Sequence, residues 1–206
     1  GSILINIHRV EFSDIDLIVY GKDNSYKVKE ALLSLYQSSN SNVRKFSKRE
    51  FEEWCTKVSS LYRLKLNDAR KICERKWNRG VFGGTLFSVH PVKTEKEFSD
   101  TYDTYIFQPI GIVKIRATVI NAENSIFNPA IYKINQVEVM EGPKIGSHVK
   151  EVVTYEGLYS DIAKEREKIE VRGKLEKVIN KALGTRYYRI LVGSPEADGL
   201  DYLRLV

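Results

Sequence analysis

Asp14 and Asp16 alternate with apolar residues in the run Ser13-Asp14-Ile15-Asp16-Leu17-Ile18-Val19-Tyr20-Gly21. Ile15, Leu17 and Val19 point one way in an extended chain, and the two carboxylates point the other. On a strand this spacing sets the two acids on one face, about 6.5–7 Å apart at Cα. Their oxygens can converge on divalent cations, and paired cations can clamp the attacking and leaving oxygens of a phosphoryl transfer. Mg²⁺ (or Mn²⁺) suits carboxylate and phosphate oxygens. Upstream, Gly1-Ser2 is open to two readings, a turn offering backbone N–H groups and a hydroxyl to phosphates, or the remnant of a cleaved tag. The acids alone could equally decorate a solvated strand.

The spacing is more specific than either part. Gly1-Ser2, eleven residues, then Asp14-Ile15-Asp16-Leu17 resembles the signature of the DNA polymerase beta-like nucleotidyltransferase superfamily. With the later segments IFNPAIYKI and VRGKLEKV, the chain resembles a group of archaeal predicted nucleotidyltransferases that join this core to a C-terminal β domain. The resemblance implies Mg²⁺-dependent transfer of a nucleoside monophosphate from an NTP to a hydroxyl acceptor. It implies that Asp14 and Asp16 are catalytic metal ligands, and that Gly1, Ser2 and Ser13 lie at the nucleotide. The superfamily adds a third carboxylate on a later strand. The matching segment, Thr85 to Val92, holds no acid, and the nearest are Glu95, Glu97, Asp100 and Asp103. Either Asp100 or Asp103 is expected to fold back to the pair, or turnover is expected to be very low. The alternative is an inert nucleic-acid-binding module or regulatory subunit that keeps the fold.

The elements that must position these residues follow from periodicity. After the strand, NSYKVKEALLSLYQ has helical spacing. A second helix opens at Ser47 and Glu50, a capping box, with Phe46 and Phe51 placed as a hydrophobic staple. A third, LNDARKICERKWNRG, buries Ala69, Ile72, Cys73 and Trp77, starts at Asn67 and stops at Gly80. Its other side would carry Lys71, Arg75 and Arg79 at i, i+4 and i+8. The segment 44–79 has 12 Lys/Arg against 5 Asp/Glu, a local excess of +7 in a chain of net +6. Such a concentration points to an anionic partner, here RNA or single-stranded DNA through Lys71, Arg75 and Arg79.

From Val81 onward the pattern is mostly extended: 85–92, then 106–120, 131–140, 149–156, 168–179, 186–193 and 201–206. The expected architecture is therefore α+β. An N-terminal nucleotidyltransferase-like α/β domain (1–100), a mixed sheet with helices, precedes a small β-barrel-like domain (101–206). Arg186, Tyr187, Tyr188 and Arg189 are read either as a base-stacking platform or as ordinary strand packing. An open sheet edge beside the Asp strand would be covered by the C-terminal domain or paired in a homodimer.

Bulk properties exclude other classes. Among 206 residues, 42% are hydrophobic and 29% charged, a globular composition. No apolar run reaches the roughly 18–20 residues of a membrane span. Arg9 and Glu11 break the apolar N-terminal stretch, so no secretory signal is read there and a cytoplasmic location is expected. The two cysteines, Cys55 and Cys73, read as buried thiols rather than zinc ligands.

Overall fold

A computed structural model describes residues 14–98 and 103–206. The protein is α+β, with two sheets. The chain forms two compact units that do not divide at one point near residue 100. Of the described residues, the first takes 14–53 and Lys76–Glu97, and the second takes Trp54–Arg75, Phe98 and 103–206.

In the first unit, β1 (Ile15–Tyr20) leads into α1 (Lys22–Leu35), followed by β2 (Val43–Arg44), β3 (Arg79–Phe82) and β4 (Thr85–Val92). The sheet order is β1-β4-β3-β2, with β1 parallel to β4 and the other pairs antiparallel. Among the described residues β1 is the outer strand. Gly21 makes the turn into α1 at φ +90°, a region that disfavours side chains. Glu97 secures the same corner. Its carboxylate accepts hydrogen bonds from the backbone N–H of Lys22 at 2.7 Å and of Thr94 at 2.8 Å, which satisfies a donor at the start of the helix. Gly80 has a packing role. A Cβ there would lie 2.7 Å from the Arg44 carbonyl oxygen and 2.9 Å from the Phe87 ring, so only glycine lets these strands approach. It lies within β3 and does not end a helix.

The helix α2 (Lys48–Leu61) begins as its sequence predicts. The Ser47 backbone N–H donates to Glu50 Oε2 at 2.7 Å, and the Glu50 N–H donates to Ser47 Oγ at 3.3 Å. Next, α3 (Leu66–Arg75) buries Ala69, Ile72 and Cys73, and Cys55 and Cys73 are free buried thiols. Two ion pairs tie α3 to the β-rich part of the second unit: Arg204 with Asp68 at 2.8 Å, and Arg75 with Glu167 at 2.9 Å. These contacts explain why the helical segment 54–75 groups with residues after 98.

The rest of the second unit is β5 (Tyr105–Asn121), β6 (Ala130–Glu141), β7 (Val149–Thr154), β8 (Lys168–Asn180), β9 (Arg186–Val192) and β10 (Tyr202–Leu205). These match the extended segments of the sequence to within a few residues. The order β8-β5-β6-β7-β9 returns to β8, so five strands close a ring, and β10 adds to β8. Along one edge, β8 pairs with β10 over residues 169–172 and with β9 over 174–179. Gly173 sits at the change of partner, where a Cβ would lie 2.8 Å from the Ile190 side chain. The core includes Ile115, Val119, Tyr132, Val152, Ile169, Val171, Leu175 and Ile190, all nearly inaccessible. Tyr132 is held by its polar end: the hydroxyl donates to the Tyr159 carbonyl at 2.6 Å and accepts from the Ile162 N–H at 3.0 Å.

Candidate active site on the β1–β4 face

Parallel pairing sets Asp16 opposite Ser88, and Ile18 opposite His90. Antiparallel pairing of β3 with β4 sets Arg79 opposite Ser88. Because laterally paired residues share a face, one row across three strands reads Asp16, Ser88, Arg79, with His90 two positions further along β4. Asp14 directly precedes β1 and is exposed.

The contacts define protonation. Ser88 Oγ lies 2.6 Å from Asp16 Oδ1 and 2.7 Å from His90 Nε2, and His90 Nε2 lies 3.4 Å from Asp16 Oδ1. An ionised carboxylate only accepts, so the Ser88 hydroxyl donates to Asp16. Ser88 has one proton, so its oxygen accepts from His90, which must then carry hydrogen on Nε2. In the neutral tautomer Nδ1 has the free lone pair. The Ser88 hydrogen bond first, and the His90 hydrogen bond after it, hold the Asp16 carboxyl below its ordinary value against desolvation. The Asp16 and His90 side chains remain 44% and 50% exposed, so the charged carboxylate is open to a ligand.

The donor set suits a hard divalent cation in part. Asp14 and Asp16 Oδ2 offer carboxylate oxygens, and His90 Nδ1 offers a nitrogen. Among the described residues no group of three or more His, Cys, Asp or Glu could enclose a metal by itself. Mg²⁺ commonly takes one or two protein carboxylates and completes its shell with water and substrate phosphates.

Several expected residues fall elsewhere. Gly1, Ser2, Ser13 and Asp100 lie outside the described residues. Asp103 pairs with Lys181 inside the second unit, and Glu97 caps α1 at the opposite end of β1 from Asp16. Beside Asp16 the neighbouring strand supplies Ser88 and His90. Lys71, Arg75 and Arg79 do not form one helical stripe, because α3 ends at Arg75. The chain is diverted there: Tyr36 donates its hydroxyl to the carbonyls of Trp77 and Arg79, both at 3.0 Å, and the Asn78 side-chain amide bonds the Val89 carbonyl at 2.9 Å. Lys71 is exposed on α3, Arg75 is bound to Glu167, and Arg79 opens β3.

The basic excess of 44–79 is partly neutralised as well. Arg44 pairs with Glu50 at 2.7 Å and Arg49 with Glu53 at 2.8 Å. The aromatic run on β9 is engaged in its own unit. Tyr187 donates to Glu151 at 2.9 Å. Arg189 donates to Glu176 at 2.8 Å and its guanidinium lies 3.9 Å from the Phe107 ring centre.

Sequence reasoning passed over His90 and Ser88 as site residues. Their alternation on Thr85–Val92 was visible, but only the sheet order puts that strand beside Asp16.

No protein-family model matches the chain, and no solved structure matches it. The chain is 30% identical over 212 residues to an uncharacterized protein of Methanocaldococcus jannaschii. That alignment covers 100% of this chain and 57% of the relative, so the chain spans a little over half the length of the archaeal protein it resembles.

Proposed function

We propose that the first unit binds a nucleoside triphosphate with Mg²⁺ and transfers its nucleoside monophosphate to a hydroxyl acceptor. The observation that carries this reading is Asp16 on an open sheet face, kept ionised by Ser88 with Arg79 in the same cross-strand row, and the exposed Asp14 just ahead of the strand. Asp14 and Asp16 Oδ2 would hold the divalent ions. When bound, such ions supply charge neutralisation at the phosphates and align attacking and leaving oxygens. Arg79 supplies a fixed positive charge for the triphosphate. The acceptor oxygen bonds to the α-phosphorus as the bond to the bridging oxygen of pyrophosphate breaks, and pyrophosphate leaves. The hydroxyl proton passes to a base, for which His90 Nδ1 is the group at hand beside Asp16.

Two carboxylates stand where the family resemblance implies three, and the one free lone pair of His90 Nδ1 is kept for the acceptor's proton. One negative charge fewer weakens the grip on the metal, so metal affinity should be low without nucleotide and rise when phosphates add their oxygens. Calorimetry with an NTP, with and without Mg²⁺, tests this directly. Metal-dependent NTP binding, together with transfer of label to RNA, protein or small alcohols, is expected. Equal NTP affinity with and without metal overturns the reading.

A further inference from the structure

A cavity of about 380 Å³ opens within the second unit, lined by Leu61, Tyr62, Glu156, Tyr159, Ser194 and Asp201, among others. Its floor is polar and incompletely bonded. The backbone N–H groups of Gly193 and Ser194 both donate to Asp201 Oδ2 at 3.0 Å. The other oxygen, Oδ1, is buried with no hydrogen-bond partner, and so is the Tyr159 hydroxyl. Asp201 is 5% exposed and Tyr159 1%. Buried polar atoms are nearly always bonded, so two orphans lining one cavity call for a ligand or solvent. Glu156 adds a second carboxylate, fixed by the Tyr62 hydroxyl at 3.1 Å. The rings of Tyr62 and Tyr159 meet edge to face at 5.8 Å. Gly193, at φ +90°, keeps the approach open, because a Cβ there would lie 2.7 Å from the Glu156 side chain.

The chemistry of these groups specifies the guest. Asp201 Oδ1, the Tyr159 oxygen and a Glu156 oxygen are three acceptors, and a primary ammonium has three donors. The carboxylates attract a cation, and two aromatic rings, Tyr62 and Tyr159, line the same space. Leu61 and Pro195, which also lines the cavity, give an alkyl stem an apolar wall. Among the described residues no Lys or Arg lines the space. Arg172, whose charge reaches Asp201, is outside the lining. The volume lies at the lower end of the range for small-ligand sites, enough for a short alkyl chain with its head group.

We propose that this cleft binds a primary organic ammonium ion, with Asp201 Oδ1, Tyr159 and Glu156 receiving its three hydrogen bonds. The ammonium comes either from a free alkylamine or from a lysine side chain. It rests on the second unit alone and is independent of nucleotide binding by the first.

Titration calorimetry on the full chain tests it with three probes: n-pentylamine, 1-pentanol of the same length, and Nα-acetyl-lysine methylamide. Pentylamine should bind saturably, and at least about tenfold more tightly than the alcohol. Asp201→Asn keeps an oxygen for the Gly193 and Ser194 N–H groups but removes the charge, and should weaken amine binding about tenfold or more. Tyr159→Phe removes a hydroxyl that has no partner in the chain, so it should weaken binding roughly threefold without lowering the melting temperature. Tighter binding of the lysine derivative than of pentylamine supports a polypeptide source, and the reverse order supports a free amine. Equal affinity for amine and alcohol overturns the proposal. So does wild-type affinity in both variants, or the absence of saturable amine binding at about 10 mM.

Discussion

Asp16 in the first unit and Glu170 in the second are both held below the ordinary carboxyl value, for different physical reasons. Glu170 is 1% exposed. Burial pushes its carboxyl up, but hydrogen bonds from Tyr202, Arg204 and Arg116 outweigh that. Those contacts are Tyr202 at 2.8 Å, Arg204 at 2.6 Å and Arg116 at 3.1 Å. Glu176 and Glu151 are likewise buried and bonded by their own chain, with Arg189 and Lys174 on one and Lys133 and Tyr187 on the other. Such carboxylates are saturated by their own chain. Asp16, by contrast, has one oxygen engaged by a neutral hydroxyl and is left 44% exposed. A low carboxyl value alone therefore does not mark a functional acid. The distinction lies in how much of its bonding capacity the chain leaves open.

The comparison predicts opposite outcomes for matched substitutions. Glu170→Ala leaves Arg204 and Arg116 without their shared counter-ion in a protein-lined site. Breaking a buried pair costs roughly 3–5 kcal/mol, and the partial exposure of both arginines should reduce this to about 2–4 kcal/mol. Asp16→Asn at an open face should change stability by less than about 0.5 kcal/mol. Urea unfolding of the two variants measures both, and comparable destabilisation would erase the contrast. In function the order reverses. Asp16→Asn, or Asp14→Asn, should lower metal-dependent NTP affinity and any transfer rate by about a hundredfold or more, while an active and still folded Glu170→Gln should keep both.

How much of this was legible beforehand depends on range. The Ser47/Glu50 box, the β1 strand and the later strands are local patterns, and they appear where the sequence puts them, although Leu17 on the expected inner face of β1 is 47% exposed. The Asp14/Asp16 spacing is local too. What stands beside Asp16 is not local, because parallel pairing with β4 joins residues 72 apart in the chain. The third basic residue failed for a similar reason. Helical periodicity continues through Trp77 and Arg79 in the sequence, but Tyr36 and Asn78 capture that backbone for the sheet. Nothing local in the run Gly193–Gly199 announces that Asp201 Oδ1 is left unbonded behind it.

Asp201 stands between the two extremes and sharpens the comparison. Burial pushes its carboxyl up, and the Ser194 and Gly193 N–H groups pull back less strongly. The sign follows from linkage. An acid whose folded value is raised favours the folded state below its unfolded value of about 3.9, and that advantage is lost as pH rises through the folded value. At neutral pH Asp201→Asn should therefore be as stable as wild type or up to about 1 kcal/mol more stable. The difference should disappear as the pH falls below the unfolded value. Thermal melts across pH check this. A variant that is markedly less stable at neutral pH would show that the charge is compensated within the chain, and would place Asp201 with Glu170.

The smallest expected effect probes Ser88 itself. Its hydroxyl is the main cause of the lowered Asp16 carboxyl value, and His90 is a lesser one. Ser88→Ala should move Asp16 up toward about 3.9, and His90→Ala should move it up by less. NMR titration of the Asp16 carboxyl carbon reads both. Stability follows with the opposite sign to Asp201. A lowered folded value contributes stability that is present above the unfolded value and is lost as pH falls through the folded value. Wild type should therefore exceed Ser88→Ala slightly at neutral pH, by less than about 0.5 kcal/mol given the exposure of Asp16, and the two should converge in acid. If His90→Ala shifts Asp16 more than Ser88→Ala does, the imidazole carries a positive charge that governs the carboxylate, and Ser88 only relays it. The free lone pair on Nδ1 would then be absent, and His90 could neither bind a metal nor take the acceptor's proton. The ranking of these two small shifts thus decides whether the open face is a hydroxyl-supported carboxylate poised for a cation or a carboxylate already neutralised by its own chain, as Glu170 is.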